Sequence, residues 1–332
     1  MTAGGLHFVD LSGYAFTGKH AVIDLMREIE GYHVPHFEFE FGLLRMQGGI
    51  LDLRHALCEE WSPIRSDAAI RRFKRLVRRL GSRHSLRRPA SLFEAVGWNY
   101  DDYYAGRFFT LSDAYVRELV QASWRAPWPY ALVDIGGGEL FVRKLLSKLR
   151  WPGALEFELH LARPAQFDEA SRAYLEAVLS SNLAPETTTV VMHNAFEPYA
   201  PARSLRLFAR AKAIVVDRDP RDNFVQGRWY KPFATSVEDF IARYRMQREA
   251  TDYTPHPDVL RIRFEDLVLD YDHIVPRIFA HLGEPAARHV RPRQHFNPDQ
   301  SRKNLGLWRA YDNQREIAQI AAALPEFCDD RL

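Results

Sequence analysis

Cysteine is nearly absent. Only Cys58 and Cys328 occur in 332 residues, so neither a disulfide framework nor a cysteine-rich zinc site is available. No apolar run approaches the roughly 20 residues that a membrane-spanning helix requires. No basic segment followed by an apolar stretch opens the sequence, so no secretory signal is read there. An excess of one charge is also lacking: 45 Lys and Arg face 43 Asp and Glu, a net charge of +2. That balance argues against a nucleic-acid partner. The thirteen histidines include no His-x-x-Glu-His or similar helical pair, so no metal site is expected. Repeats and low-complexity linkers are missing too. What is there is 46% hydrophobic and 27% charged, a globular composition with enough chain for a full core. The expected compartment is the reducing cytoplasm.

Apolar patterning then assigns the elements. Residues 6–11 read as a strand stopped by Ser12 and Gly13, and Ala21, Val22, Leu25, Met26 and Ile29 space a helix over 21–29. Alternation over 36–44 predicts a second strand, and 48–80 reads as mostly helical. Residues 88–130 read as helices joined by loops. Further strands are expected at 131–135, 155–161, 188–192, 213–216 and 259–264, and helices at 167–179, 237–251, 272–282 and 316–324. Strands alternating with helices predict an α/β fold with a central, mainly parallel sheet flanked by helices. The chain is expected to form one domain, with a helical, basic insertion at about 50–130. Gly136, Gly137 and Gly138 lack dinucleotide-site spacing and read as a turn.

One stretch is strongly basic. Arg71, Arg72, Lys74, Arg75, Arg78, Arg79, Arg83, Arg87 and Arg88 have no acid among them, so the remaining chain is net acidic. Ile70, Phe73, Leu76, Val77 and Leu80 run through it as an apolar stripe. The stretch is either an amphipathic surface helix or a patch for an anionic acceptor or membrane surface.

Three constellations carry chemistry. Gly13-Tyr14-Ala15-Phe16-Thr17-Gly18-Lys19 fits Gly-x-x-x-x-Gly-Lys between a strand and a helix. Such a turn aims backbone amides and a helix N-terminus at a phosphate. His20 stands where a nucleoside-triphosphatase needs a magnesium-binding hydroxyl, which counts against triphosphate hydrolysis. Next, a buried strand runs into Arg218-Asp219-Pro220-Arg221-Asp222. Arginines at the carboxyl edge of a parallel sheet suit a phosphate or carboxylate held in bidentate fashion; the alternative is an Arg218–Asp222 ion pair. Finally, Ser301-Arg302-Lys303-Asn304-Leu305-Gly306 sets two cations beside a glycine and suits a second phosphate.

Together these segments resemble the sulfotransferases that use 3′-phosphoadenosine-5′-phosphosulfate (PAPS). Val215-Val216-Asp217-Arg218-Asp219-Pro220-Arg221-Asp222 is similar to the family's Val-Val-Arg-Asp-Pro-Arg-Asp. Ile262-Arg263-Phe264-Glu265-Asp266-Leu267 resembles its Tyr-Glu-Asp-Leu strand end. Phe279-Ala280-His281-Leu282-Gly283 resembles its helix ending in Leu-Gly, and Arg302-Lys303-Asn304 its closing Arg-Lys-Gly. The loop flanks, Ser12-Gly13-Tyr14 and residues 21–25, look most like bacterial members of surface-polysaccharide synthesis.

The resemblance implies a P-loop sulfotransferase-like domain that moves a sulfuryl group from PAPS to a hydroxyl of a glycan or glycolipid, without a metal. It implies that Gly13, Phe16, Thr17, Gly18, Lys19 and His20 hold the 5′-phosphosulfate. Arg218, Gln226, Arg302, Lys303 and Asn304 would hold the 3′-phosphate. Phe16 stands where the family usually has Lys or Arg, and Gln226 where it has Ser. A base must take the acceptor proton. His193, at the end of a buried strand, is the first candidate; Glu38 or Glu40 is the alternative. Peripheral contact with an anionic inner membrane or with polysaccharide machinery through residues 71–88 is a further expectation. Two other readings stay open: a degenerate member that binds nucleotide or scaffolds a polysaccharide-synthesis complex, and a P-loop kinase or nucleoside-triphosphatase.

Overall fold

β-Branched and apolar runs closed by glycine or by charged turns become strands, and amphipathic runs become helices. The computed structural model describes residues 5–36, 39–83, 96–229 and 236–332. Its strands are β1 (His7–Gly13), β2 (Tyr32–His33), β3 (Val120–Pro127), β4 (Glu156–Ala162), β5 (Thr189–His193), β6 (Ala211–Asp217) and β7 (Val259–Arg263). Its longer helices are α1 (Lys19–Met26), α2 (Pro63–Gly81), α3 (Phe108–Leu119), α4 (Gly137–Lys148), α5 (Phe167–Leu179), α6 (Pro220–Arg228), α7 (Val237–Glu249), α8 (Tyr271–Leu282) and α9 (Gln314–Ala323). The chain divides into two compact units, Met1–Phe41 with Leu183–Leu332, and Gly42–Asn182. The basic stretch lies in the second.

The first unit carries a five-stranded sheet in the order β2-β5-β1-β6-β7, and every pairing in it is parallel. This is the α/β architecture that the alternating elements predict. All of β5 and residues 213–216 of β6 are buried, which is why they read as unbroken apolar runs. Val22, Ile23, Leu25 and Met26 of α1 pack with Val9, Leu11, Ile214, Val216, Ile262 and Ile278 into one core. Pro220 opens α6, whose Asp219 cap accepts the Arg221 amide, a helix start for which proline's fixed φ and missing N–H are suited.

The second unit is built on α2. Ser62 caps it by accepting the Arg65 amide, and Ile70, Phe73, Val77 and Leu80 are buried at helical spacing. Ser66 and Asp67, also buried, hold β4 through the amides of Ala162 (2.8 Å) and His160 (3.1 Å). α3 and α5 join through Ser112–Tyr174 and Tyr115–Ser171 hydrogen bonds of 2.6 and 2.7 Å.

Several expectations are corrected. The described residues of 36–44 form no strand: residues 42–45 form a turn, and the short β2 ends before Pro35, which has no N–H for a ladder; Phe37 and Glu38 lie outside the described residues. Residues 129–133 form a 3₁₀ turn opened by Pro129, not a strand; Ala131 is buried beside Phe157 and Leu159, whereas Val133 is 84% exposed. The stretch 88–130 contains a strand, β3, besides its helices. β4 pairs with β3 antiparallel in a separate two-stranded sheet, so it is not part of the central one. Within the basic stretch, Arg71 and Arg72 pair with Asp134 at 3.3 and 2.6 Å, and Lys74 with Glu158 at 3.0 Å. Arg87 and Arg88 lie outside the described residues.

Candidate active site

The register of the central sheet sets the site. The chain leaves β1 toward β2 and leaves β6 toward β7, on opposite sides. A parallel sheet opens a crevice at the carboxyl edge where its crossovers diverge in this way. Gly13 pairs with Val216, Leu11 with His193, and Asp217 with Arg263, so the segments after β1, β5, β6 and β7 start side by side.

The loop after β1 is tightly wound. Ala15 and Phe16 have φ values of 67° and 51°, strain of about 1–3 kcal/mol per residue that surrounding contacts must offset. Those contacts come from α6 and the turn before it: Asn223 Nδ2 donates to the Ala15 carbonyl (2.7 Å) and Arg218 Nη1 to that of Phe16 (3.3 Å). In a planar trans peptide the N–H points opposite to the carbonyl. With these carbonyls committed toward residues 218 and 223, the amides of Phe16 and Thr17 are aimed the other way. Gly18 has φ 78°, and a Cβ there would stand 2.5 Å from the Phe264 ring; a Cβ on Gly13 would overlap Thr17 Oγ1. Both glycines are sterically required.

Arg218 is the hub. It is 2% exposed and donates to the Phe16 carbonyl, Gln226 Oε1 and the Asn304 carbonyl. Its Nη2 lies 3.6 Å from Asp222 Oδ2, and Phe264 lies under the guanidinium at 5.1 Å. The three constellations thus meet on one side chain. Burial pushes its pKa down, against the pull of Asp222, Glu265 and Asp219. Asp222 accepts the amides of Gly306 (2.8 Å) and Trp308 (3.2 Å), which anchors the late segment; burial raises its carboxyl while Arg218 and those amides lower it.

Lys19 Nζ lies 3.7 Å from Glu40 Oε1, and His193 Nε2 lies 4.0 Å from the same oxygen. Asn194 Nδ2 also donates to it. His193 is buried, its ring edge-on to His20 at 5.3 Å. A carboxylate–histidine pair beside the loop lysine can accept a proton and orient a hydroxyl.

Not every candidate joins this cluster. Arg302 is exposed and pairs with Asp299 at 3.7 Å; Lys303 is exposed as well. Arg221 is tied to Asp219 (2.7 Å) and the Asp329 carbonyl (3.0 Å) and lies over Trp308, so it organises the C-terminal segment rather than the crevice. Glu38 lies outside the described residues. Sequence reasoning gave no role to Asn223, which holds the Ala15 carbonyl, to Asn194, which donates to Glu40, or to the Phe264 ring under Arg218; each acts through a contact that only the fold creates. It assigned Asp222 only an ion pair, not the two amides.

No family model and no curated protein matches the sequence. Among solved structures, the chain is similar to the sulfotransferase domain from the Synechococcus PCC 7002 olefin synthase, at 13% identity and a TM-score of 0.41, covering 97% of this chain and 94% of that one. It is also similar to the sulfotransferase domain from the curacin biosynthetic pathway, at 15% identity and a TM-score of 0.39, covering 97% of each chain. A third is retinol dehydratase in complex with androsterone and the inactive cofactor PAP, at 14% identity and a TM-score of 0.36, covering 97% of this chain and 81% of that one.

Proposed function

We propose that this protein is a PAPS-dependent sulfotransferase whose acceptor is a hydroxyl of a glycan in surface-polysaccharide assembly. One observation carries the nucleotide part: the buried Arg218 at the end of β6, bonded to the loop, α6 and the late segment together. Its guanidinium donates to three neutral oxygens, with the Asp222 carboxylate 3.6 Å away. Among the described residues its buried Nε has no partner. A desolvated guanidinium so placed suits a phosphate. These residues fit the nucleotide. Arg218 and Gln226, with Arg302, Lys303 and Asn304 of the late segment, would hold the 3′-phosphate. Gly13, Phe16, Thr17, Gly18, Lys19 and His20 would hold the 5′-phosphosulfate through loop amides and the Lys19 ammonium.

When bound, PAPS would supply an activated sulfuryl group for the acceptor hydroxyl, with PAP as the leaving group. His193 would take the acceptor proton, with the Glu40 carboxylate 4.0 Å from its Nε2; Glu40 itself is the alternative base. Lys19 offsets the negative charge that gathers on the leaving phosphate. The glycan acceptor is supported by the likeness of the loop flanks to bacterial polysaccharide-associated members.

Calorimetry with 3′-phosphoadenosine-5′-phosphate (PAP), 5′-AMP, and ATP with magnesium tests the assignment. A charge-assisted clasp on the 3′-phosphate makes PAP about 10- to 150-fold tighter than 5′-AMP, and EDTA leaves that binding intact. Equal affinity for PAP and 5′-AMP would overturn the site. Binding of ATP that vanishes in EDTA would favour the triphosphatase reading. Transfer of radiolabelled sulfate from PAPS into the polysaccharide fraction tests the acceptor. PAP binding with no transfer to any hydroxyl would leave a nucleotide-binding scaffold.

A further inference from the structure

Among the described residues, the outward face of α4 in the second unit packs against nothing. No residue of this helix is buried. Leu140, Arg143, Leu146 and Ser147 are half-buried on one side, and Arg143 fixes that side by donating to the carbonyls of Ala154 (3.1 Å) and Glu156 (3.3 Å). On the other side Phe141, Val142, Leu145 and Leu149 are 68, 51, 46 and 68% exposed, and Trp151 just beyond is 65% exposed. At about 100° per residue the first four fall within one stripe roughly 100° wide. A monomeric soluble surface seldom gathers so many large apolar side chains on one helix face.

The charges beside the stripe have one sign. Lys144 and Lys148, one turn apart, border it and are exposed. Arg150 follows at a left-handed turn, φ 56°. The acid of α4, Glu139, is held by Arg143 at 2.8 Å. The preceding acid, Asp134, is held by Arg71 and Arg72. A second copy of the chain would set Lys144, Lys148 and Arg150 against their own equivalents, so like charges oppose a self-complementary dimer. An apolar stripe bordered by cations, with an aromatic ring at its end, matches a helix lying in the plane of an anionic bilayer surface.

We propose that α4 and Trp151 dock this protein on anionic lipid. Phe141, Leu145, Leu149 and Trp151 enter the boundary between headgroups and acyl chains, and Lys144, Lys148 and Arg150 meet the lipid phosphates. This surface is distinct from residues 71–88 and does not depend on the sulfotransferase reading.

Co-sedimentation of the full chain with vesicles tests it. The expected result is binding to equal mixtures of phosphatidylglycerol and phosphatidylcholine, and little to phosphatidylcholine alone. Each cation at such a surface contributes roughly fivefold in partition, so Lys144→Ala with Lys148→Ala lowers binding about 25-fold. Phe141→Ser with Leu149→Ser lowers it at least as much. All four side chains are exposed, so circular dichroism and PAP affinity stay at the parent values. Arg78→Ala with Arg79→Ala is the control and leaves binding within twofold. Equal binding to neutral vesicles, no binding to either, or loss only in the Arg78/Arg79 variant would overturn the proposal. So would a dimer in sedimentation equilibrium that Phe141→Ser dissociates.

Discussion

Glu265 shows how burial at this site becomes a pH dependence. Its side chain is wholly buried. It accepts the Asp219 amide at 2.9 Å and lies 3.3 Å from Arg263 Nε. Burial outweighs both and pushes its carboxyl from 4.5 up to about 7. The folded state therefore keeps a proton between pH 4.5 and 7 that the unfolded chain has lost. Stability from this group is present at the acid end and falls as pH rises through that window, by on the order of 3 kcal/mol. Glu265→Gln keeps the amide contact without the charge. Urea unfolding at pH 5 and pH 8 should show the variant gaining on the parent at the higher pH. An unchanged difference at the two pH values would show that Glu265 ionises normally. Single residues also mark how far the sequence could be read. Arg218 stood out because a cation follows an apolar strand. Asn223 did not: its role is one hydrogen bond to the Ala15 carbonyl, which needs a fold before it has a meaning.

Elements were legible where burial imposes a period. β5, β6, α5 and α8 were visible because one face, or both, is apolar. β3 was hidden because six of its eight residues are exposed, which erases the alternation by which strands are read. Its partner β4 was visible but its sheet was not, since strand pairing is a tertiary choice. The segment after α8 depends on Glu28, a side chain with no motif around it. Glu28 is wholly buried, and its carboxylate accepts the amides of Arg293 (3.1 Å), His295 (2.8 Å) and Phe296 (2.8 Å) and contacts His289 Nε2 at 2.7 Å. Removing it strands several polar groups, each costing about 1–3 kcal/mol when left unmade. Glu28→Ala should lower the unfolding free energy by at least about 3 kcal/mol and speed amide exchange over 289–296. A loss below about 1 kcal/mol would mean that water replaces the carboxylate there.

At the scale of the whole molecule, the candidate site is assembled from chain segments that are far apart in sequence. Residues 13–20 follow β1, residues 218–226 follow β6, and residues 302–308 lie close to the C-terminus; all belong to the first unit. They meet through Arg218, Asn223 and Asp222, so a ligand held by the loop and by Arg218 tightens segments that share no secondary structure. Binding adds RT ln(1 + [L]/Kd) to the stability of the state that binds, about 2.7 kcal/mol at a hundredfold excess over Kd. That increment should appear as slower amide exchange in three separate stretches, 13–20, 218–226 and 302–308, when PAP is added. Arg218→Met should abolish the protection in all three together, because it removes the common partner while keeping an apolar stem over Phe264. If PAP slows exchange only in 13–20, the late segment does not close on the nucleotide. Arg302 and Lys303 would then lose their assigned role, whereas the loop would retain its own.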